Sequence, residues 1–323
     1  MIRKDTLTEN KIMKATREGF GAGLLAIGVD ERVYGLCADL TESVQMHHFK
    51  EKYPSRYIEV GIAEQNMAAV ASGIASMGMI PYIASYAAFN PGRNWEQIRT
   101  TIAYNHMPVR IIGAHAGLSV GPDGGSHQML EDIALMRAMP GMTVLVPIDA
   151  NEAQAMTIAS LEIEGPVYIR LTREKSPLIL PDGHVYSSEP QLLYKSTGDK
   201  LKKLAIITCG PIAYEALKSI AEIEKHNIEL AIINLSTIKP LDEKFLLNLI
   251  NSYGHILTVE EHQMAGGLGS AIAEFVVKHK RVIMDMIAVH DRFGQSGQTD
   301  ELYREYELSS LHIIDRAVNL VQK

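Results

Sequence analysis

The sequence predicts an α/β fold made of two doubly wound domains with mostly parallel sheets. Apolar, strand-like runs alternate with helical stretches along most of the chain, and one Pro-containing segment interrupts this alternation. Strands separated by helices form parallel sheets that are covered on both faces. The length of 323 residues also exceeds one ordinary hydrophobic core and fits two domains. Two α/β domains joined by a linker are therefore expected.

The first domain is assigned to residues 1–180. Its predicted strands, which are short and mostly apolar runs, cover residues 33–38, 79–84, 109–113, 143–146 and 167–171. Its predicted helices cover about residues 8–28, 62–77, 94–104, 130–139 and 151–160. Open parallel sheets bind ligands beyond the carboxyl ends of their strands. The loops that follow these strands are therefore the places to look for functional residues.

The alternation breaks over residues 174–200, which contain three prolines and several turn dipeptides. We assign residues 181–200 to an interdomain linker with some strand pairing, and residues 201–323 to the second domain. The predicted strands of the second domain cover residues 204–208, 229–235, 255–259 and 282–289, and helices begin near residues 212, 242 and 269. This second set repeats the strand and helix alternation of the first.

The composition excludes several classes of protein. With 46% hydrophobic and 21% charged residues, the chain is globular and water-soluble. A net charge of −7 without a dense basic stripe argues against a nucleic-acid partner. No apolar window approaches 18 residues and the N-terminus lacks an apolar signal core, so no membrane association is expected. The two distant cysteines, Cys37 and Cys209, favour a reducing compartment, and we expect a cytoplasmic protein.

An acidic residue stands at the start of a helix made of small apolar residues. Residues 57–78 read YIEVGIAEQNMAAVASGIASMG, and Glu64 falls in the first helical turn. A carboxylate at this position complements the helix dipole if water reaches it. The alanines and glycines that follow indicate close packing on several faces, and a buried carboxylate must find a partner or a proton. Glu64 is therefore a candidate functional residue.

A long Gly-rich loop follows the third predicted strand. Residues 113–128, GAHAGLSVGPDGGSHQ, end at a helix, and their glycines allow the backbone to approach a ligand closely. His115, Asp123 and His127 can converge on one pocket. The alternative is a turn-rich loop in which Ser126 caps the helix. The spacing lacks the paired ligands of zinc motifs, and the glycines match neither the dinucleotide nor the phosphate-loop pattern.

The loops after the other strands carry weaker signals. The aromatic pair Tyr86 and Phe89 in SYAAFNPGRNW can stack on a planar ring, although such residues are more often core. Arg170 and Arg173 in IRLTREK can clamp a phosphate or pair with surface acids. In CADLTES, Asp39 can cap the next helix or line a site.

Taken in order, GIAEQNM, the aromatic loop, GPDGGSHQ and IRLTRE resemble the transketolase family of thiamine-diphosphate enzymes. The match covers a pyrimidine-binding domain followed by a C-terminal domain, which is essentially the whole chain. The resemblance implies that Glu64 bonds N1′ of the aminopyrimidine and favours the tautomer that takes the proton from thiazolium C2. It also implies that Phe89, with Tyr86 nearby, stacks on the pyrimidine ring, and that Asp39 and Arg93 lie near the cofactor.

The resemblance further implies a ketose phosphate as donor. The family positions that hold its phosphate match Arg17, Ser43, His115 and Arg173. Arg170 is the alternative match to Arg173. Asp123 and His127 match positions that contact the hydroxyls and the carbonyl end of the donor, and His115 and His127 would transfer protons. The implied reaction moves a two-carbon ketol unit to an aldose phosphate.

The family holds the cofactor's diphosphate through a metal bound by a GDG…N element on a separate domain, and this sequence contains no such element. The resemblance therefore implies the C-terminal subunit of a split transketolase. Its N-terminal partner subunit would carry GDG…N and bind Mg²⁺ or Ca²⁺, so that this chain holds no metal. Self-association through this chain would give a heterotetramer, and the chain alone is expected to be inactive.

Some features keep other functions open. Transketolases typically have Arg before the glutamate and His after it, whereas Ala63 and Gln65 stand here. The GIAEQ form is closer to deoxyxylulose-phosphate synthases and to the β subunits of 2-oxo acid dehydrogenases, and a non-catalytic scaffold is a further alternative. In the second domain, VEEHQMAGGLGSAIAEF resembles the family's C-terminal domain, which mainly builds the subunit interface. Glu260, Glu261 and His262 are therefore expected to be structural.

Overall fold

The computed structural model describes residues 2–198 and 202–322, and it has the α/β fold that the sequence predicts. Its strands form a seven-stranded sheet, a five-stranded sheet and a two-stranded ribbon. One buried apolar cluster includes Leu36 and Ile83 from the first large sheet and Ala205 and Ile233 from the second. The two halves of the chain therefore share part of their core.

Each predicted strand overlaps an observed strand, and the structure adds several short strands that were not predicted. They are β1 Met13–Lys14, β2 Val33–Cys37, β3 Tyr57–Glu59, β4 Ile80–Tyr86, β5 Arg110–Ala114, β6 Thr143–Leu145, β7 Val167–Arg170, β8 Ser176–Pro177, β9 Gln191–Lys195, β10 Lys202–Thr208, β11 Ile228–Asn234, β12 Thr237–Lys239, β13 His255–Gln263 and β14 Ile283–Val289.

The α-helices, in chain order, lie between and after these strands. They are α1 Thr16–Ile27, α2 His47–Lys52, α3 Glu64–Ser76, α4 Trp95–Gln97, α5 Asp132–Arg137, α6 Ala150–Ala159, α7 Ala213–Lys218, α8 Ile220–Lys225, α9 Glu243–Ser252, α10 Leu268–His279, α11 Thr299–Glu305 and α12 Ser310–Leu320. Helix α4 continues as a π-helical turn, Ile98–Ala103, and 3₁₀ turns cover Pro54–Arg56, Leu118–Asp123 and Ser160–Glu162.

The seven-stranded sheet has the order β12-β6-β7-β5-β4-β2-β3. The strands from β6 to β3 run parallel, so their carboxyl ends face the same edge of the sheet. The edge strand β12 runs antiparallel to β6, with Thr237 opposite Leu145. Because β12 comes from residues assigned to the second domain, both predicted domains contribute to this sheet.

The five-stranded sheet has the order β14-β13-β10-β11-β9. Strands β10, β11, β13 and β14 run parallel. Strand β9 comes from the predicted linker and runs antiparallel to β11. The linker residues thus form one edge of the second sheet. The predicted boundary between the linker and the second domain, at residues 200 and 201, lies outside the described residues.

Helix α1 begins at Thr16, so the prediction of a helix from about residue 8 is wrong in its first part. The backbone N–H of Ala15 donates a hydrogen bond to the Glu18 carboxylate (2.6 Å), which satisfies a free donor at the start of the helix. The residues before Ala15 include β1, which pairs with β8 in an antiparallel ribbon.

The C-terminal helices α11 and α12 are absent from the predicted elements. The buried residues of α12, Ile313, Ala317 and Leu320, recur at helical spacing, so the signal is present in the sequence. The helix predicted from about residue 212 divides at Ser219 into α7 and α8. None of the helices in residues 2–198 and 202–322 has the length and apolarity needed to cross a membrane.

Helix α1 packs on α6 at a separation that only glycine permits. A Cβ atom on Gly19 would lie 1.9 Å from the carbonyl oxygen of Ala150, and one on Gly23 would lie 2.7 Å from Cβ of Thr157. This close packing leaves α1 little freedom to shift. It therefore fixes the position of Arg17, which lies in the first turn of α1.

Candidate active site

The predicted site residues follow strands that end at one edge of the seven-stranded sheet. Strand β4 ends at Tyr86, β5 ends just before His115, and β7 ends at Arg170. Strand β5 pairs in parallel with both β4 and β7, so these three ends are adjacent. This is the arrangement in which α/β sheets bind ligands.

Glu64 is buried at the start of α3, with 1% of its surface exposed. Its Oε2 accepts a hydrogen bond from Nη1 of Arg93 (3.2 Å), and half of the Arg93 side chain remains exposed. No donor among the described residues reaches Oε1. The carboxylate is thus screened from bulk water and keeps one oxygen free to accept a hydrogen bond from a ligand.

Two asparagines that sequence reasoning missed hold Glu64 in place. Nδ2 of Asn94 donates to the carbonyl oxygen of Glu64 (3.1 Å) and to Oδ1 of Asn90 (2.9 Å). Nδ2 of Asn90 in turn donates to the carbonyls of Ile83 in β4 and Ile112 in β5. Both side chains are fully buried. Two asparagines four residues apart in a loop after a strand are the only signal that the sequence offers.

Four ring side chains, Tyr86, Phe89, His115 and His127, form a contiguous group that we call the aromatic row. The rings of Tyr86 and His115 stack with centroids 3.8 Å apart, and the ring of His127 meets Phe89 edge-on at 5.6 Å. Tyr86 and Phe89 lie nearly parallel at 6.2 Å. The guanidinium of Arg93 lies 5.0 Å from the Phe89 ring centroid. Contacts therefore run without a break from Glu64 to His115.

His115 is buried at one end of the aromatic row. Burial first, and then the positive charges of Arg17 and Arg173, lower the pKa of His115 from 6.5 to about 3. Its φ of +54° is uncommon for a non-glycine residue, and its buried Nδ1 has no hydrogen-bond partner among the described residues. His115 is therefore neutral at neutral pH, and one of its ring nitrogens is buried without a partner among the described residues.

Two arginines, Arg17 and Arg173, lie close enough to His115 for their charges to lower its pKa. Nη1 of Arg17 donates to the carbonyl oxygen of Ser43 (2.7 Å), which places the predicted residue Ser43 next to this arginine. Nη1 of Arg173 donates to the carbonyl of Val120 (2.9 Å) and to Glu174 (3.0 Å). Two guanidiniums around a neutral imidazole form a positively charged patch that suits a phosphate.

The described hydrogen bonds of Arg170, the alternative to Arg173, lie outside this patch. Its Nε donates to the Asp132 carboxylate (2.8 Å) and its Nη2 to the carbonyl of Glu261 (2.8 Å). The side chain is 3% exposed and Asp132 is fully buried. Because these donors serve buried partners, Arg170 is less suited than Arg173 to hold a phosphate, and its role in the site stays a prediction. Of the two arginines, we carry only Arg173 into the proposed site.

Two other predicted residues lie on exposed turns. Asp39 follows β2 with φ of +60°, and its backbone N–H donates to Oε1 of Glu59 (2.8 Å). The same Oε1 accepts from the N–H of Gly61, in the turn that leads to Glu64. Asp123 ends the 3₁₀ turn Leu118–Asp123 in the Gly-rich loop. The described contacts do not join either side chain to the aromatic row, so their roles stay predictions.

The geometry fits a planar heteroaromatic ring at one end and an anion at the other. Arg93 links a buried carboxylate that has a free oxygen to the phenyl ring of Phe89, and this combination suits a ring that carries a hydrogen-bonding nitrogen. The residues Glu64, Phe89 and Tyr86 therefore fit an aminopyrimidine. Among residues 2–198 and 202–322, no group of three or more His, Cys, Asp or Glu side chains is placed to hold a metal ion.

Known proteins and protein families are similar to this chain in sequence. The transketolase pyrimidine-binding domain matches residues 13–177, and the transketolase C-terminal domain matches residues 197–313. A putative transketolase C-terminal section of Methanocaldococcus jannaschii is 36% identical over 320 residues, covering 97% of this chain and 98% of that protein. A 1-deoxy-D-xylulose-5-phosphate synthase of Halothermothrix orenii is 33% identical over 310 residues, which are 94% of this chain and 48% of that protein.

Solved structures agree with this assignment. A split-gene transketolase, described as an inactive β4 tetramer, has a TM-score of 0.84 and 33% identity, covering 95% of this chain and 97% of that chain. Transketolase from Campylobacter jejuni has a TM-score of 0.79 at 22% identity, covers 95% of this chain and 47% of that one, and shares the fold. The chain therefore belongs to the transketolase family of thiamine-diphosphate enzymes, in which it corresponds to the pyrimidine-binding domain followed by the C-terminal domain.

Proposed function

We propose that this chain is the C-terminal subunit of a split transketolase. Together with an N-terminal subunit, it transfers a two-carbon ketol unit from a ketose phosphate to an aldose phosphate. The observation that carries the proposal is the unbroken set of contacts from Glu64 through Arg93 and the aromatic row to His115, with Arg17 and Arg173 beside it. One end of this set suits a heteroaromatic ring and the other suits a phosphate.

Glu64 and the neighbouring rings bind the pyrimidine. Thiamine diphosphate supplies, when bound, a carbon nucleophile and an electron sink for the two-carbon unit. Oε1 of Glu64 accepts a hydrogen bond from the pyrimidine, and burial of the carboxylate makes this bond stronger than it would be in water. Phe89 offers its face to the ring, with Tyr86 beside it. We assign Asp39 to the edge of this pocket, together with Arg93, which contacts both Glu64 and Phe89.

The positively charged patch binds the sugar phosphate. Arg17 and Arg173 supply the charge, and Ser43 lies against Arg17. His115 is neutral because its pKa is lowered to about 3, and a neutral imidazole both donates and accepts hydrogen bonds. A bound phosphate would offset the arginine charges that lower this pKa and bring it closer to the working pH, and in that state we assign to His115 the transfer of a proton between substrate oxygens.

The remaining predicted residues bind the sugar between these two ends. His127 touches both Phe89 and Tyr86, so it lies between the pyrimidine pocket and His115. We assign His127 to the carbonyl end of the donor and Asp123, in the same Gly-rich loop, to its hydroxyls. Loop residues of this kind orient the reacting atoms and exclude water.

A partner subunit completes the site in this proposal. The solved split-gene relative is described as an inactive β4 tetramer, and the curated relative as a C-terminal section. By analogy, an N-terminal subunit with a GDG…N element binds the diphosphate and Mg²⁺ or Ca²⁺. Self-association of this chain then gives a heterotetramer, which works in the cytoplasm.

Reconstitution tests the proposal. The pure chain is assayed for ketol transfer with thiamine diphosphate and Mg²⁺, alone and with the N-terminal subunit, and we expect turnover only in the mixture. In the mixture, Glu64→Gln should lower turnover at least about 100-fold, because an amide is a weaker acceptor and cannot take up a proton. Gln65→Ala, at the exposed neighbouring position, is the matched control. Transfer by the pure chain, or unchanged turnover of Glu64→Gln, would contradict the proposal.

The second candidate function is decarboxylation of a 2-oxo acid, as in deoxyxylulose-phosphate synthases or 2-oxo acid dehydrogenases. The similarity to the Halothermothrix orenii synthase and the GIAEQ form of the Glu64 segment favour it. The arginine patch around His115 favours a sugar phosphate donor instead. Transfer of a ketol unit between sugar phosphates releases no CO₂. Release of CO₂ from pyruvate by the reconstituted complex would therefore favour the second candidate function over the first.

A further inference from the structure

We propose that Glu261, in the second half of the chain, is a positioning residue for Arg173. It acts through the 3₁₀ turn Leu118–Asp123, which we call the site turn, and it fixes this turn against β13. The proposal rests on the proposed function only in the role given to Arg173, the binding of a phosphate. The anchoring of the site turn by Glu261 stands on contacts alone.

The Glu261 carboxylate accepts two hydrogen bonds from Ser119, at the start of the site turn. The backbone N–H of Ser119 donates to Oε1 of Glu261, and Oγ of Ser119 donates to Oε2 (3.2 Å). The carboxylate also lies directly against Gly117, where an added Cβ would be 2.6 Å from Cδ of Glu261. Gly117 has φ of +86°, so a side chain there would be strained as well as crowded. The backbone at Gly117 and the Glu261 carboxylate are therefore packed closely enough to exclude a side chain at position 117.

The next residue of the turn holds Arg173. Nη1 of Arg173 donates to the carbonyl of Val120 (2.9 Å), which directly follows Ser119. Glu261 also touches the strand that leads to Arg173, because its own carbonyl accepts from Nη2 of Arg170 (2.8 Å) at the end of β7. Glu261 therefore supports Arg173 from two sides, by its side chain through the turn and by its backbone through β7.

The contact is strong because the carboxylate is 3% exposed and well supplied with donors. Tyr303 of α11 donates a third hydrogen bond to Oε2 (3.1 Å). Burial raises the pKa of Glu261, while Arg170 and the Ser119 donors counteract that rise. Hydrogen bonds to a buried charged group are worth more than neutral ones, and loss of the acceptor would leave the N–H of Ser119 unsatisfied.

Glu260 is a matched control one residue away. It is also fully buried, but its carboxylate accepts hydrogen bonds from the N–H groups of Leu268 and Gly269 at the start of α10, each at 2.7 Å. These partners belong to the second half of the chain and are remote from the site turn in sequence. Glu260→Gln therefore measures the cost of losing a buried carboxylate without losing the contact with Ser119.

The first test measures hydrogen exchange in the folded chain for Glu261→Gln and Glu260→Gln. We expect Glu261→Gln to speed amide exchange in peptides spanning residues 117–123 by about tenfold, the size expected when a charged acceptor is replaced by a neutral one. Glu260→Gln should speed exchange at the start of α10 and leave residues 117–123 as in the wild type. Equal protection of the site turn in the two variants would overturn the proposal.

The second test measures binding of inorganic phosphate by titration calorimetry. Glu261→Gln should weaken it by about tenfold, and the same change in an Arg173→Ala background should have no further effect, because the loss acts through Arg173. If the losses of phosphate affinity caused by Glu261→Gln and Arg173→Ala add in the double variant, Glu261 does not act through Arg173 and the proposal fails. If the wild type binds no phosphate, the phosphate role of Arg173 in the proposed function fails, and hydrogen exchange alone decides whether Glu261 anchors the turn.

A milder variant covers the case in which Glu261→Gln does not fold. Ser119→Ala removes only the Oγ contact from the other side of the same interaction and keeps the backbone N–H. We expect a smaller increase in exchange at residues 117–123 and a smaller loss of phosphate affinity, both in the same direction as for Glu261→Gln. Unchanged exchange and unchanged phosphate affinity in Ser119→Ala would count against the proposal.

Discussion

Glu64 is buried, whereas the arginine that pairs with it reaches solvent. The Arg93 guanidinium offers an N–H to Oε2 of Glu64 and lies over the face of Phe89. A flat ring with a hydrogen-bonding nitrogen would make the same two kinds of contact. Arg93 therefore competes with the pyrimidine of the proposed function for contact with Glu64 and with the Phe89 ring.

Replacing Arg93 should strengthen cofactor binding. Arg93→Gln removes a half-exposed ion pair worth at most about 1 kcal/mol, so the affinity of the reconstituted complex for thiamine diphosphate should rise up to about fivefold. Equilibrium titration monitored by protein fluorescence gives the dissociation constant. Arg99→Gln, on the exposed side of the following π-helical turn, is the control and should leave affinity unchanged. A weaker complex would instead mean that Arg93 binds the cofactor directly.

His115 makes the protein sensitive to acid. Its pKa is about 3 in the folded chain against an ordinary 6.5, so below pH 6.5 the unfolded chain binds more protons than the folded one. The free energy of unfolding therefore falls as pH drops from 6.5 towards 3, by up to about 1.4 kcal/mol per pH unit. His115→Asn should flatten this decline in denaturant titrations at pH 7, 6 and 5. His48→Asn, at an exposed position, is the control and should leave this decline unchanged. If the free energy of unfolding of His115→Asn falls with pH as steeply as that of the wild type, His115 is not the cause of the acid sensitivity.

The sequence predicts which strand ends come together, but it does not predict which way each side chain near those ends turns. Tyr86, Phe89, His115 and His127 come together because they follow parallel strands that end at one edge, and strand order is readable from alternation. Arg170 and Arg173 differ by three positions, and whether such a side chain turns inward depends on partners distant in sequence. Asp132 is 38 residues from Arg170, and no local pattern reveals it.

At the scale of elements, the loop after β4 is hydrogen-bonded through buried side chains to two strands and to the start of α3. The buried amides of Asn90 and Asn94 link the carbonyls of Ile83 and Ile112, in β4 and β5, to the backbone of Glu64 at the start of α3. This linkage explains how a loop residue keeps the first turn of α3 in register with the sheet. The sequence predicts α3 and both strands but not the amides, since asparagine in a loop is usually a turn residue.

Loss of this linkage should be costly. Asn94→Ala leaves the buried Oδ1 of Asn90 without its donor and removes the side-chain donor to the carbonyl of Glu64, so the free energy of unfolding should drop by about 1–3 kcal/mol. Urea titration measures the change. Asn66→Ala, at an exposed position of α3, is the control and should stay within about 0.5 kcal/mol of the wild type. A loss in Asn94→Ala no larger than in the control would show that the linkage carries no stability.

At the scale of the whole molecule, the two predicted domains are interlocked. Strand β12 joins the first sheet, and the buried Glu152 of α6 accepts hydrogen bonds from Asn234 (3.2 Å) and Ser236 (2.8 Å) in the second half of the chain. A Pro-containing linker suggests separable domains, but it says nothing about a strand that returns to the first sheet. Antiparallel pairing of β12 with β6 depends on long-range packing that local patterns do not encode.

The shared core should make the chain unfold as one unit. One buried cluster includes residues of both sheets, so unfolding of either half would expose part of the core of the other. Trp95, the single tryptophan, reports on the first half, and Phe245→Trp in a Trp95→Phe background reports on the second, because Phe245 packs against the same cluster. We expect the two fluorescence probes and far-UV circular dichroism to give the same urea midpoint, with circular dichroism of each variant as the control for its stability. Midpoints that separate between the probes would show that the halves are independent, and the coupling from Glu261 to the site turn would then be expected to weaken under mild denaturation.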